Sequence, residues 1–148
     1  MSSAVIISGF LAKYSPEIAA QAGEAREHLS KNFPRGFELV YDNYNALVFV
    51  FASSERASSA LLSIAVYPKW TTLFFAKGAV LDDPGKILEG HGAQIRAVRL
   101  RPLSRLYEPA VQALIHAAIR LAGPGLQSAP PLSTVIKSIS AKQRPRKP

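Results

Sequence analysis

No cysteine occurs among the 148 residues, which excludes disulfides, thiolate metal sites and cysteine nucleophiles. That absence fits a reducing compartment, and a cytoplasmic location is expected. No apolar run reaches the roughly 18 to 20 residues that a membrane-spanning helix requires, so no membrane association is expected. The apolar opening, residues 4–12, has the length of a signal core, but no positive charge precedes it and no cleavage pattern follows, and it reads as a buried amphipathic segment. The chain also lacks a Gly-x-Ser-x-Gly elbow. Its three histidines, His28, His91 and His116, lie far apart, and the Glu24/His28 pair at helical spacing is more simply a surface hydrogen bond than a metal contact. Asp82 and Asp83 are adjacent, so their carboxylates diverge. The expectation is a protein without catalytic residues, metal ligands or cofactor, and not an enzyme.

Acid is scarce, with 10 Asp and Glu against 18 Lys and Arg, a formal charge of +8. Residues 123–148 hold five of the bases (Lys137, Lys142, Arg144, Arg146 and Lys147) and no acid. Residues 1–122 keep the other 13 bases and all 10 acids, a net of only +3, so the basicity is concentrated toward the end of the chain. An apolar share of 48% with 19% charged residues is enough to build one core in a chain of this length. The division that follows is an α+β domain over 1–122 and a basic, proline-punctuated tail over 123–148, read as flexible apart from Val135, Ile136 and Ile139, which could dock as one short element.

Ser15-Pro16-Glu17 is a helix start: serine caps free amides, proline suits the first turn and glutamate complements the dipole. Ile18, Ala22, Ala25 and Leu29 recur at helical spacing, giving a helix over 16–31 that Pro34 and Gly36 end, and a shorter helix is expected over 4–13. From Gly36 the composition turns β-rich. Segments 37–42, 46–52, 59–67 and 71–76 carry Val, Ile, Phe, Tyr and Leu between short turns, which predicts a four-stranded antiparallel meander. Asp83-Pro84 predicts a helical turn to Glu89 closed by Gly90, residues 94–100 a fifth strand, and 107–122 a helix with Val111, Leu114, Ile115, Ala118 and Leu121 on one stripe. The fold class is α+β: a single antiparallel sheet of about five strands with helices packed on it from both ends of the chain.

The stretch Phe74-Phe75-Ala76-Lys77-Gly78-Ala79-Val80-Leu81-Asp82-Asp83-Pro84, continued by Leu88-Glu89-Gly90-His91-Gly92 and Arg96, resembles the YdhG-like domain family, a domain of unknown function. The run from Glu38 to Leu47 is similar to that family's first hairpin, and the resemblance covers roughly residues 5–122. It implies a small α+β fold with one antiparallel sheet. A subset of the family is described as frataxin-like and iron-handling, which makes metal handling an alternative function. Frataxin-type iron binding goes with a dense acidic helix, whereas the helix over 16–31 has only Glu17, Glu24 and Glu27.

Three groups of residues are candidates for binding. Lys77, Gly78, Glu89, Gly90, His91, Gly92 and Arg96 lie within twenty residues, where glycines allow close approach of backbone to a ligand and two cations can hold an anion. The same residues also read as turns and caps. Tyr41, Asp42 and Tyr44 either rim a groove or anchor a turn. Lys137, Lys142, Arg144, Arg146 and Lys147 offer loose, salt-sensitive affinity for nucleic acid or another polyanion. Arg96, Arg99, Arg101 and Arg105 are the densest basic cluster in the domain, with Arg99 and Arg101 on one strand face, and read as a solvated surface; Phe49, Phe51, Phe74 and Phe75 read as core. The functional expectation is a non-catalytic binding or interaction module of unknown ligand, with a homodimer or protein partner possible because strand residues are apolar on both faces (Leu47, Phe49 and Phe51 against Val48 and Val50).

Overall fold

The computed structural model describes all 148 residues, Met1 to Pro148. Two helices open the chain, α1 (Ser3–Leu11) and α2 (Pro16–Asn32). Ser15 caps α2 by accepting from the Ile18 amide at 3.3 Å, with Pro16 in the first turn. Four strands follow as the expected meander: β1 (Phe37–Asp42), β2 (Leu47–Ala52), β3 (Ala60–Val66) and β4 (Thr71–Phe75), each antiparallel to the next. β5 (Arg96–Leu100) pairs antiparallel with β4, and α3 (Pro109–Ala122) and the short α4 (Pro124–Gln127) come after it.

The sheet is six-stranded and mixed, in the order β5-β4-β3-β2-β1-β6, rather than five-stranded and antiparallel. Its sixth strand, β6 (Ser133–Ile139), comes from the segment expected as a flexible tail and runs parallel to β1, with Leu39 opposite Val135 and Val40 opposite Ile136. The helical turn expected from Asp83 to Glu89 is absent. The Asp83 carboxylate instead accepts from the amides of Ile87 (3.1 Å) and Leu88 (2.9 Å), Lys86 takes φ 52°, and Glu89 forms an isolated bridge with Ala97. With Pro84 and Gly85 so close together, the side-chain acceptor competes successfully against helical backbone bonds. The last helix starts at Pro109, two residues later than expected, and Leu121 faces solvent rather than the core.

Alternation along the strands sorts the sheet into two faces. Val40, Leu47, Phe49, Phe51, Leu62, Ile64, Val66, Leu73, Phe75, Val98 and Leu100 join one cluster with the buried stripes of all four helices. Close packing needs glycine where β1 begins: Gly36 has φ +108°, and a Cβ there would stand 2.5 Å from the Ala52 carbonyl oxygen. The other face has no helix over it. It carries Leu39, Tyr41, Val48, Val50, Ser63, Ala65, Thr72, Phe74 and Arg99, of which Leu39, Ala65 and Thr72 are buried, Arg99 is exposed and the others are half-buried. The β2–β3 loop contacts the far edge of the sheet, where Lys137 Nζ donates to the Glu55 carbonyl. Phe49, Phe51 and Phe75 are fully buried core residues, whereas Phe74 belongs to the uncovered face.

Candidate functional site

Val66 and Thr71 end their strands on the core face, so Tyr67 and Trp70, one residue further on, turn to the uncovered face. The Tyr67 amide donates to the Trp70 carbonyl at 2.9 Å, leaving Pro68 and Lys69 as the hairpin tip. Register then places Arg99 opposite Thr72 on β5, beside the indole. Trp70 Nε1 donates to Thr72 Oγ1 at 3.2 Å, the Arg99 guanidinium lies 4.1 Å from the indole centroid and that of Arg101 lies 5.6 Å away. Tyr67 completes the group with its ring 5.9 Å from the indole. Arginine over tryptophan is the strongest of the side-chain cation–π pairs, and it fixes a flexible guanidinium in one plane.

Two open clefts flank the hairpin tip. One, of about 540 Å³, has Lys69 and Arg101 on one wall and Ser15, Glu17 and Gln21 at the start of α2 on the other. The second, of about 440 Å³, is lined by Asn45, Tyr67, Pro68, Arg144 and Pro145. Arg144 arrives there because its amide donates to the Tyr44 carbonyl at 2.8 Å, and its guanidinium lies 5.6 Å from the exposed Tyr44 ring.

A buried ion cluster holds this last stretch of chain in place. Asp42 is fully buried at the end of β1 and accepts from Lys13 Nζ at 2.5 Å and from Arg146 Nη2 at 2.9 Å. Arg146 also donates to the Asn43 carbonyl at 2.6 Å, and Gln143 Nε2 donates to the Asp42 carbonyl. Burial alone would raise the Asp42 pKa; the hydrogen bonds from Lys13, Gln143 and Arg146 outweigh it and hold the carboxyl below its ordinary value. Beneath the cluster, Tyr14 donates to the Val66 carbonyl and accepts from the Leu47 amide, and burial raises its phenol.

The expected site residues separate accordingly. Asp42 anchors a turn, Tyr41 lies on the uncovered face and Tyr44 meets Arg144. Of the five cations expected to serve a polyanion together, Arg146 is buried in its ion pair and Lys137 is bound to the Glu55 carbonyl; Arg144, Lys142 and Lys147 remain exposed. In the 77–96 loop, Arg96 donates to the carbonyls of Gly92 (2.7 Å) and Ile95 (2.8 Å), so its guanidinium closes the loop. Gly78, Gly90 and the Gly92 carbonyl are thus gathered about Arg96, while the side chains of Lys77, Glu89 and His91 are exposed. A Cβ at Gly78 would stand 2.4 Å from that of Arg96, so Gly78→Ala is expected to cost about 1 to 3 kcal/mol, read as a lower urea midpoint at unchanged slope.

Lys69, Tyr67 and Trp70 were not among the residues singled out from sequence, and Arg99 and Arg101 were read as solvated surface. The signal that locates them is hairpin register: a two-residue link at Pro68-Lys69 fixes Trp70 on the same face as Arg99. A separate polar group lies near the start of α3, where a hydrogen bond to Glu24 pushes the Tyr107 phenol up to about 12 and His28 meets Gln112. No helix is long and apolar enough to cross a membrane. Comparison with known protein families, curated proteins and solved structures finds no match.

Proposed function

We propose that this protein is a non-catalytic binding module whose ligand is a polyanion, taken at the Trp70 end of the sheet. The observation that carries this reading is the distribution of unpaired positive charge. Lys13 and Arg146 pair with Asp42, Arg26 with Glu38 and Lys31 with Glu27; of the fourteen Lys and Arg that take part in no ion pair, Lys69, Arg99, Arg101 and Arg144 border the same end of the molecule. Four cations against the single acid Glu17 across the cleft raise a positive potential, and contacts with Trp70 and Tyr44 order three of the guanidinium groups before any ligand arrives. Membership of the YdhG-like family, resting on the residues quoted above, is part of the same proposal. Iron handling, the alternative, is less favoured: Glu24, Glu27 and His28 line one open cleft, but no three His, Asp or Glu side chains are placed to hold a metal ion together.

Fluorescence anisotropy with a labelled single-stranded oligonucleotide and with heparin, at rising salt, tests the reading. About four phosphate contacts give a slope of roughly −3 in log affinity against log salt for a single strand, and Arg99→Ala with Arg101→Ala together should shallow it by about 1.4. Absence of binding to both probes at low salt sinks the proposal. So does binding that ignores these substitutions and disappears with Lys142 and Lys147.

A further inference from the structure

Resting on that reading, we infer that the polyanion is a single-stranded nucleic acid whose bases stack on the uncovered sheet face, with Trp70 as the platform. Cations alone do not account for the arrangement. Tyr41, Tyr67, Trp70 and Phe74 all stand on this face, half-buried, around a floor of Val48, Val50, Ser63 and Ala65. Small residues between larger rings make a shallow bed rather than a pocket, and a bed of this kind accepts flat groups laid along it. A sulfated polysaccharide or an acidic peptide would use Lys69, Arg99, Arg101 and Arg144 but would gain little from the rings. A double helix keeps its base faces inside its own stack and meets only the cations. A single strand uses both, since its phosphates meet the guanidinium groups while its bases lie on the aromatic faces, whatever their sequence.

The geometry around Trp70 gives this a specific form. The hydrogen bond from Nε1 to Thr72 keeps the indole fixed along the face, and Arg99 covers one ring face at 4.1 Å. An entering base either takes the free face of the indole or displaces Arg99 toward the adjoining phosphate. Both routes leave the base in contact with the single tryptophan of the chain, so its emission, excited selectively over that of the five tyrosines, reports on that contact.

The test compares oligothymidylate with an abasic oligonucleotide of the same length, which carries the same phosphates and no bases, on the full chain. Duplex DNA and poly-glutamate are the other two probes. Oligothymidylate is expected to bind roughly tenfold more tightly than the abasic strand and to quench Trp70, while the abasic strand leaves the emission nearly unchanged. Trp70→Ala should erase the difference between the two strands, and Trp70→Phe, which keeps an aromatic face, should retain most of it, with circular dichroism confirming that both variants fold. Equal affinity for the two strands without quenching overturns the inference while leaving polyanion binding intact. Tighter binding of duplex or of poly-glutamate than of oligothymidylate overturns it as well, and failure of every probe removes the proposed function itself.

Discussion

Replacing Asp42 with asparagine is expected to lower the unfolding free energy by about 3 to 5 kcal/mol, because it leaves Arg146 buried beside a neutral amide. For a chain of this size that is a fall in melting temperature on the order of 10 °C. Lys13 is partly exposed and contributes less to the loss than Arg146, whose side chain has almost no contact with water. Removing both charges of the inner pair, as Asp42→Asn with Arg146→Met, should cost less than the sum of the single changes, and the shortfall measures their coupling. Acid titration gives a second readout. Asp42 has a lowered folded pKa, so its stabilisation is complete above the unfolded carboxyl value of about 3.9 and is lost as pH falls through the lower folded value. The native chain should therefore lose its advantage over Asp42→Asn only below about pH 4. An advantage that disappears instead between pH 5 and 7 would assign the effect to another group.

The second large loss is expected at Glu38. This carboxylate is 1% exposed on the core face of β1, where it accepts from Arg26 at 2.6 and 2.8 Å and from the Thr134 hydroxyl of β6 at 2.7 Å. Glu38→Ala removes the acceptor shared by α2 and β6 and should cost about 3 kcal/mol, measured by urea unfolding. Thr134→Val leaves the ion pair untouched and should cost about 1 kcal/mol, the scale of one hydrogen bond. If the two substitutions cost the same, the Arg26 pair contributes nothing and the attribution is wrong. The Arg26 guanidinium also lies 5.2 Å from the Phe49 ring, so Arg26→Lys should not restore the native stability even though the charge is kept.

Most of the regular structure was legible because it is local. The Ser15-Pro16 start, the stripe from Ile18 to Leu29 and the period-two alternation of β1 to β5 each follow from residues close in sequence. The sixth strand was not legible. Its sequence, Ser133-Thr134-Val135-Ile136-Lys137-Ser138-Ile139, alternates weakly after Pro130 and Pro131, and its pairing depends on a partner nearly a hundred positions away. The same distance hid the role of Arg146, since a basic residue near Pro145 and Pro148 carries no local sign that a buried Asp42 awaits it. The candidate site was half legible. Arg99 stands on the expected strand face and Arg101, one residue beyond the end of β5, joins it beside Trp70, but the meaning of that face depends on helices being packed on the opposite side only, and nothing in the hairpin's own residues states which side they choose.

The parallel pairing of β1 with β6 also sets an order of assembly. Antiparallel neighbours β1 to β4 close short loops and can zip as the chain emerges, whereas β6 must close a loop spanning β2 to α4 before its first backbone bond to β1 forms. Until then β1 is an open edge, with Glu38 and Asp42 lacking the Thr134 and Arg146 contacts that satisfy them in the finished domain. Such an edge accepts any extended strand that reaches it first. Residues 123–148 thus act during folding as an internal guard for the β1 edge, placing β6 rather than β1 at that side of the finished sheet, opposite the other outer strand β5.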